Sequence, residues 1–170
     1  MNNRSKIVYL VQAAMIAAIY VVLTYLFAPF SFGEVQVRIS EALTILPAFT
    51  PAAIPGLFVG CLIGNILGGA ILPDIIFGSI ATLFGACGTY LLCHANAEGR
   101  RKYLAPVPPI VANTLIVPFV LRFGYGVPLP IPFMMLTVGV GEVISCGVLG
   151  MIVYQAVARY KNILFRPVNA

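Results

Sequence analysis

The sequence predicts an all-α membrane protein that crosses the bilayer six times with both N and C termini cytoplasmic, and three observations carry that expectation. Of 170 residues, 61% are hydrophobic and only 9% charged, against roughly a quarter charged in an ordinary soluble domain. A chain this short has too little interior to hide so much apolar surface, so the excess must face lipid or a partner. The apolar residues also fall in runs near the ~20 residues a helix needs to cross a 30 Å hydrocarbon core. Finally, the net charge of +5 gathers in three short clusters between those runs: Arg4 with Lys6, Arg100 to Lys102, and Arg159 with Lys161 and Arg166. That spacing marks topology rather than a nucleic-acid surface. A single domain, 1–170, is the natural count.

The first span is 7–28, closed by Pro29. It is too long for a cleaved signal peptide and lacks a small-residue cleavage site. The stretch 30–40 is more polar, with Glu34, Gln36 and Arg38 alternating with Val35, Val37 and Ile39, and reads as an ordered loop at one membrane face. From Glu41 to Gly69 the chain is apolar but broken by Pro47, Pro51 and Pro55, so two shorter spans, 39–50 and 53–70, fit better than one helix. The fourth span is 73–93. A basic loop, 94–103, leads to the fifth, 106–123, and a Gly/Pro-rich turn leads to the sixth, 133–160.

Parity checks the count. If all three basic clusters lie in the cytoplasm, an even number of spans must separate each pair. Between Lys6 and Arg100 that requires the proline-interrupted stretch to cross twice. Glu34, Arg38, Glu41, Asp74, Arg122 and Glu142 then fall near or within the outer half, leaving Glu98 as the cytoplasmic acid. An ionisable group at membrane depth costs several kcal/mol unless it is paired or faces water or a ligand. The outer half is therefore where a small polar ligand is expected.

Each motif has a plain structural reading beside the functional one. Gly56, Gly60, Gly64 and Gly68 recur every four residues and form a groove that lets another helix approach closely, first of all one from the same chain. Ala13 with Ala17, and Ala14 with Ala18, give two overlapping small-residue pairs on adjacent faces of the first span. Glu34, Arg38 and Glu41 lie close enough in sequence for one arginine to bridge two carboxylates. Equally, Ser40 and Glu41 could cap and charge the start of the second helix. Asp74 after Pro73 could decorate a helix N-terminus. Glu142, deep in the last span beside Gly139, Gly141 and Ser145, is harder to explain structurally, and its small neighbours leave room for a ligand.

Enzyme motifs are missing where they were sought. The single histidine, His94, lies in the basic loop; no serine has a Gly-x-Ser-x-Gly setting, and there is no Walker motif. Cys61, Cys87, Cys93 and Cys146 have unrelated spacings and read as small buried apolar residues. No metal or cofactor is expected.

The alanine-rich first helix and the segment 37–47, Val-Arg-Ile-Ser-Glu-Ala-Leu-Thr-Ile-Leu-Pro, resemble the QueT family over essentially the whole chain. Those proteins are substrate-binding (S) components of energy-coupling factor transporters, associated with uptake of queuosine precursors. The resemblance implies docking of Ala13, Ala14, Ala17 and Ala18 on a shared transmembrane T component and, through it, coupling to two cytoplasmic ATPases. It also implies a 7-deazaguanine ligand. A guanine-like edge presents two adjacent donors that one carboxylate can accept, and a second acid can meet an ammonium. On that reading Glu41, Asp74 and Glu142 are the carboxylate candidates, Asn65 and Asn113 face the carbonyl side, and Arg38 holds the site together. Phe32, Phe133 or Tyr125 could stack on the base. The alternatives are an S component for a different vitamin-like ligand, or a non-transporting helical scaffold, with a membrane enzyme third.

Overall fold

A computed structural model describes residues 3–27, 37–94 and 100–164. Phe32, Glu34, Gln36, Glu98 and Arg166 lie outside the described residues. Among those described, all regular structure is helical. Helix α1 (Asn3–Leu26) is followed by a 3-10 helix (Ile39–Ala48), α2 (Ala53–Leu67) and α3 (Leu72–Cys93). A short 3-10 turn (Arg100–Leu104) then leads to α4 (Val107–Phe123). The last rod is composite: α5 (Ile131–Glu142), a π-helical turn (Val143–Leu149) and α6 (Gly150–Leu164).

Prolines set several of the starts. Pro73, Pro108 and Pro132 sit in the first turns of α3, α4 and α5, where a missing N–H leaves no hydrogen bond unmade. Gly69 (φ 75°) and Gly126 (φ 68°) turn the chain between α2 and α3 and between α4 and α5, a backbone region that favours glycine.

Four helical stretches are long and apolar enough to cross a membrane: Asn3–Leu26, Leu72–Cys93, Lys102–Phe123 and Ile131–Lys161. The break in the proline-rich middle falls between Ala48 and Ala53, as the prolines predict. The segment before it differs from the expected α-helix, for Ile39–Ala48 holds a 3-10 course over 10 residues. Runs beyond three or four residues are uncommon in that geometry. At a rise of about 2.0 Å per residue it spans ~20 Å, and the 15 residues of α2 span about 22 Å. Both are shorter than the other four.

The 3-10 helix is the centre of the bundle. Every residue from Ser40 to Ala48 is buried, against α1, α2, α3 and the last rod. Around it, α1 and α2 run parallel and very close. A Cβ on Gly56 would stand 2.7 Å from the Ala13 carbonyl oxygen, and one on Gly60 3.1 Å from the Ala17 Cα. The glycine stripe is thus used for packing within the chain. That contact engages Ala13 and Ala17 and leaves Ala14 and Ala18 on the exposed side of α1. A second close approach, between α3 and α4, puts Gly85 against Pro109 and Gly88 against Pro108. The outer surface carries Leu10, Met15, Leu91, Phe123 and Leu136, all largely exposed, as a lipid-facing belt requires.

Candidate functional site

In lipid a polar side chain must find its partner inside the protein, and the polar residues of this chain converge accordingly. Arg38, Glu41, Asn65, Asp74, Asn113 and Glu142 come from the 3-10 helix and its approach, α2, α3, α4 and α5, and none is more than 3% exposed. They form two groups.

The first lies where α3 begins. Arg38 Nη2 donates to Asn65 Oδ1 at 2.9 Å and pairs with Asp74 Oδ2 at 3.6 Å. Asp74 occupies the first turn of α3, where the helix dipole also favours a carboxylate. The hydroxyl of Tyr125 donates to Asp74 Oδ2 at 3.0 Å and accepts from the Ile71 N–H at 3.4 Å. Burial, then the charge of Asp74, raises the Tyr125 phenol above its ordinary range, so it stays a donor. Gly78 makes room for this group, since a Cβ there would stand 3.0 Å from Asp74 Oδ1 and 3.3 Å from Asn65 Nδ2.

The second group is deeper and centres on Glu41. Its Oε1 accepts from the Tyr20 hydroxyl and from Thr82 Oγ1 at 3.0 Å, while Asn113 Nδ2 lies 3.5 Å from Oε2. Glu142, the last residue of α5, is about 17 Å along the helix from its start. Cys146, in the π-helical turn, places its single S–H within reach of Glu142 Oε2 at 3.1 Å and of the Glu41 carbonyl at 3.4 Å. Ligand atoms of Glu41, Glu142 and Cys146 all lie within 4.8 Å of one another, a spacing that suits a cation, metallic or organic. Cys61 joins the groups: its Sγ lies 3.4 Å from Thr82 Oγ1 and accepts from Asn65 Nδ2 at 3.5 Å.

Several sequence expectations change here. Arg38 reaches across to Asp74 on α3, whereas Glu41 is held by Tyr20 and Thr82. Ser40 caps nothing: the 3-10 helix has Arg38 at its N-cap without a side-chain bond, and Ser40 Oγ accepts from Thr24 Oγ1 at 2.8 Å. Cys61 and Cys146 are buried and free, yet both carry hydrogen bonds and so do more than fill space. Phe133 is 49% exposed on α5, and Tyr125 joins the site through its hydroxyl. Tyr20, Thr82, Cys61 and Cys146 were not singled out as site residues. Their only sequence signal is position, on the spans that flank Glu41 and Glu142.

The charge balance limits what the cluster can do. Glu41, Asp74 and Glu142 face a single buried guanidinium, Arg38, among the described residues. Two buried acceptors, Asp74 Oδ1 and Asn113 Oδ1, have no donor, a state that costs about 1–3 kcal/mol each. A compact, donor-rich, positively charged ligand would satisfy both deficits.

The sequence profile of a family described as QueT transporter matches residues 10–159. A curated relative, the queuosine precursor transporter QueT of Lactococcus lactis subsp. cremoris (strain MG1363), is 35% identical over 83 residues, 48% of this chain and 48% of that protein. The match therefore spans about half the relative's length. No solved structure matches the chain.

Proposed function

Since the chain belongs to the QueT transporter family and is a multi-pass membrane protein, we propose that it is the substrate-capturing subunit of an energy-coupling factor importer for a queuosine precursor. The excess of buried carboxyl groups over guanidinium, with Asp74 Oδ1 and Asn113 Oδ1 lacking donors, carries the ligand side of this reading. A 7-aminomethyl-7-deazaguanine brings two adjacent ring donors for a carboxylate and an ammonium for a second acid. Glu41, Asp74, Asn113 and Glu142 contact it on this reading, and Arg38 and Asn65 hold that wall of the site together. The chain captures and holds its cargo, and acts as no enzyme.

The proposed topology has six crossings, with the 3-10 helix and α2 as the two short ones and both termini cytoplasmic. Supporting it, the N-terminal half of α1 and the end of α6 lie together: Gln12 Nε2 donates to the Leu164 carbonyl at 3.5 Å, and Thr50 Oγ1 to Gln12 Oε1 at 3.1 Å. That end also carries the basic clusters, in keeping with a cytoplasmic face. The T component docks on α1 through Ala14 and Ala18, and two ATPases act through it, which accounts for the missing Walker motif.

Mass spectrometry of the protein purified from cells tests the ligand assignment. Release of a 7-deazaguanine is expected. A different retained small molecule, or none after exposure to the deazaguanine, contradicts it.

A further inference from the structure

Away from the buried cluster, a pocket of about 280 Å³ is lined by Phe49, Lys102, Tyr103, Tyr154, Gln155 and Lys161, with Met151 and Ala158 on its apolar side. It lies where the end of the 3-10 helix and the basic turn before α4 meet one face of α6, from Met151 in its first turn to Lys161 in its last. Its two charged lining residues are both lysines. We propose that this pocket binds the headgroup phosphate of an anionic phospholipid.

Three features of the chain favour that occupant. Lys102 opens one apolar membrane stretch, Lys102–Phe123, and Lys161 closes another, Ile131–Lys161. Both lysines therefore stand at the ends of membrane-length apolar stretches, which this proposal sets at the depth of lipid phosphates. Basic pockets between helices at that level recognise anionic headgroups. The remaining lining is chemically divided: Gln155 and the phenol of Tyr103 offer hydrogen bonds at the level where aromatic residues anchor to the interface, whereas Phe49, Met151, Ala158 and the Tyr154 ring offer an apolar wall to the glycerol and upper acyl chain. The Phe49 and Tyr154 rings pack 4.6 Å apart, so that wall is built before a lipid arrives. A soluble anion would use the lysines and leave the apolar side unused.

The test is thermal unfolding of the full chain in neutral detergent with added phosphatidylglycerol, phosphatidylcholine or inorganic phosphate, read beside native mass spectrometry. Phosphatidylglycerol should raise the midpoint by several degrees and persist as a bound adduct, with phosphatidylcholine doing neither. In Lys102→Gln/Lys161→Gln the shift should fall by at least half, and Lys102→Arg/Lys161→Arg should retain it. Gln155→Glu, on an exposed position, adds a negative charge at the pocket and should weaken the adduct even if the lysine variants fail to fold. An equal shift from inorganic phosphate, an equal response to phosphatidylcholine, displacement of the lipid by a soluble acidic peptide, or an undiminished adduct in Gln155→Glu would overturn the proposal.

Discussion

The guanidinium of Arg38 and the carboxylate of Asp74 lie 3.6 Å apart, with side chains 3% and 1% exposed. The pair ties the approach to the 3-10 helix to the first turn of α3, so its integrity fixes the wall of the polar cluster nearest the surface. Asp74→Asn leaves Arg38 buried without its counter-charge, a loss of about 3–5 kcal/mol for a pair of this kind. A lower unfolding midpoint in detergent is expected. Arg38→Met with Asp74→Leu should recover most of that stability, since apolar replacements avoid the desolvation cost, but not ligand affinity. If the double variant is as unstable as the single one, the account of the pair is wrong.

Tyr20 reaches Glu41 from α1, and Tyr20→Phe removes that donor while keeping the ring packed. The expected cost is ~1–3 kcal/mol in orienting Glu41. Calorimetric titration should show weaker ligand binding, with helical content unchanged by circular dichroism. Affinity equal to that of the unsubstituted chain would place Glu41 outside the binding surface.

The close helix contacts predict which glycines tolerate a methyl group. In Gly85→Ala the new carbon would stand 2.6 Å from the Pro109 Cα, a backbone atom, whereas at Gly147 the nearest neighbour is the Val143 Cγ1 at 3.7 Å. Gly85→Ala should therefore destabilise by about 1–3 kcal/mol, as overpacking does, and Gly147→Ala should be close to neutral. Thermal unfolding of the two variants side by side checks the difference.

On α1, the exposed and inward alanines should separate docking from folding. Ala14→Leu with Ala18→Leu is expected to abolish co-purification with the T component and to spare ligand binding. Ala13→Leu with Ala17→Leu should lower stability itself, because those positions face Gly56 and Gly60. Intact assembly of the Ala14/Ala18 variant would remove this face from the docking surface.

How much of this was legible in the sequence follows from the physics of an apolar chain. Charged and amide residues within long apolar runs must meet partners, so Arg38, Glu41, Asn65, Asp74, Asn113 and Glu142 could be picked out one by one, and they do converge. Who pairs with whom could not, because Arg38 lies near Glu41 in sequence but reaches Asp74 through the fold. Thr82 and Cys146 carry no sequence signal beyond position, because hydroxyls and thiols are common in membrane helices and can bond to their own backbone, as Ser79 Oγ does to the Ile75 carbonyl at 2.6 Å; the Tyr20 phenol meets its partner, Glu41, only through the fold. Prolines marked the break before α2. They did not announce the 3-10 course of Ile39–Ala48, which the surrounding helices impose by burying it on every side.

If a positively charged deazaguanine binds between the buried carboxyl groups, calorimetric titration of the purified chain in nanodiscs with 7-aminomethyl-7-deazaguanine should register it. Binding should be saturable and weaken at least tenfold, about 1.4 kcal/mol, in Glu142→Gln and in Glu41→Gln, with both variants folded. The neutral 7-cyano analogue should lose less in Glu142→Gln than the ammonium ligand does. No binding by the unsubstituted chain, or affinity in both variants undiminished from that of the unsubstituted chain, would rule this binding mode out.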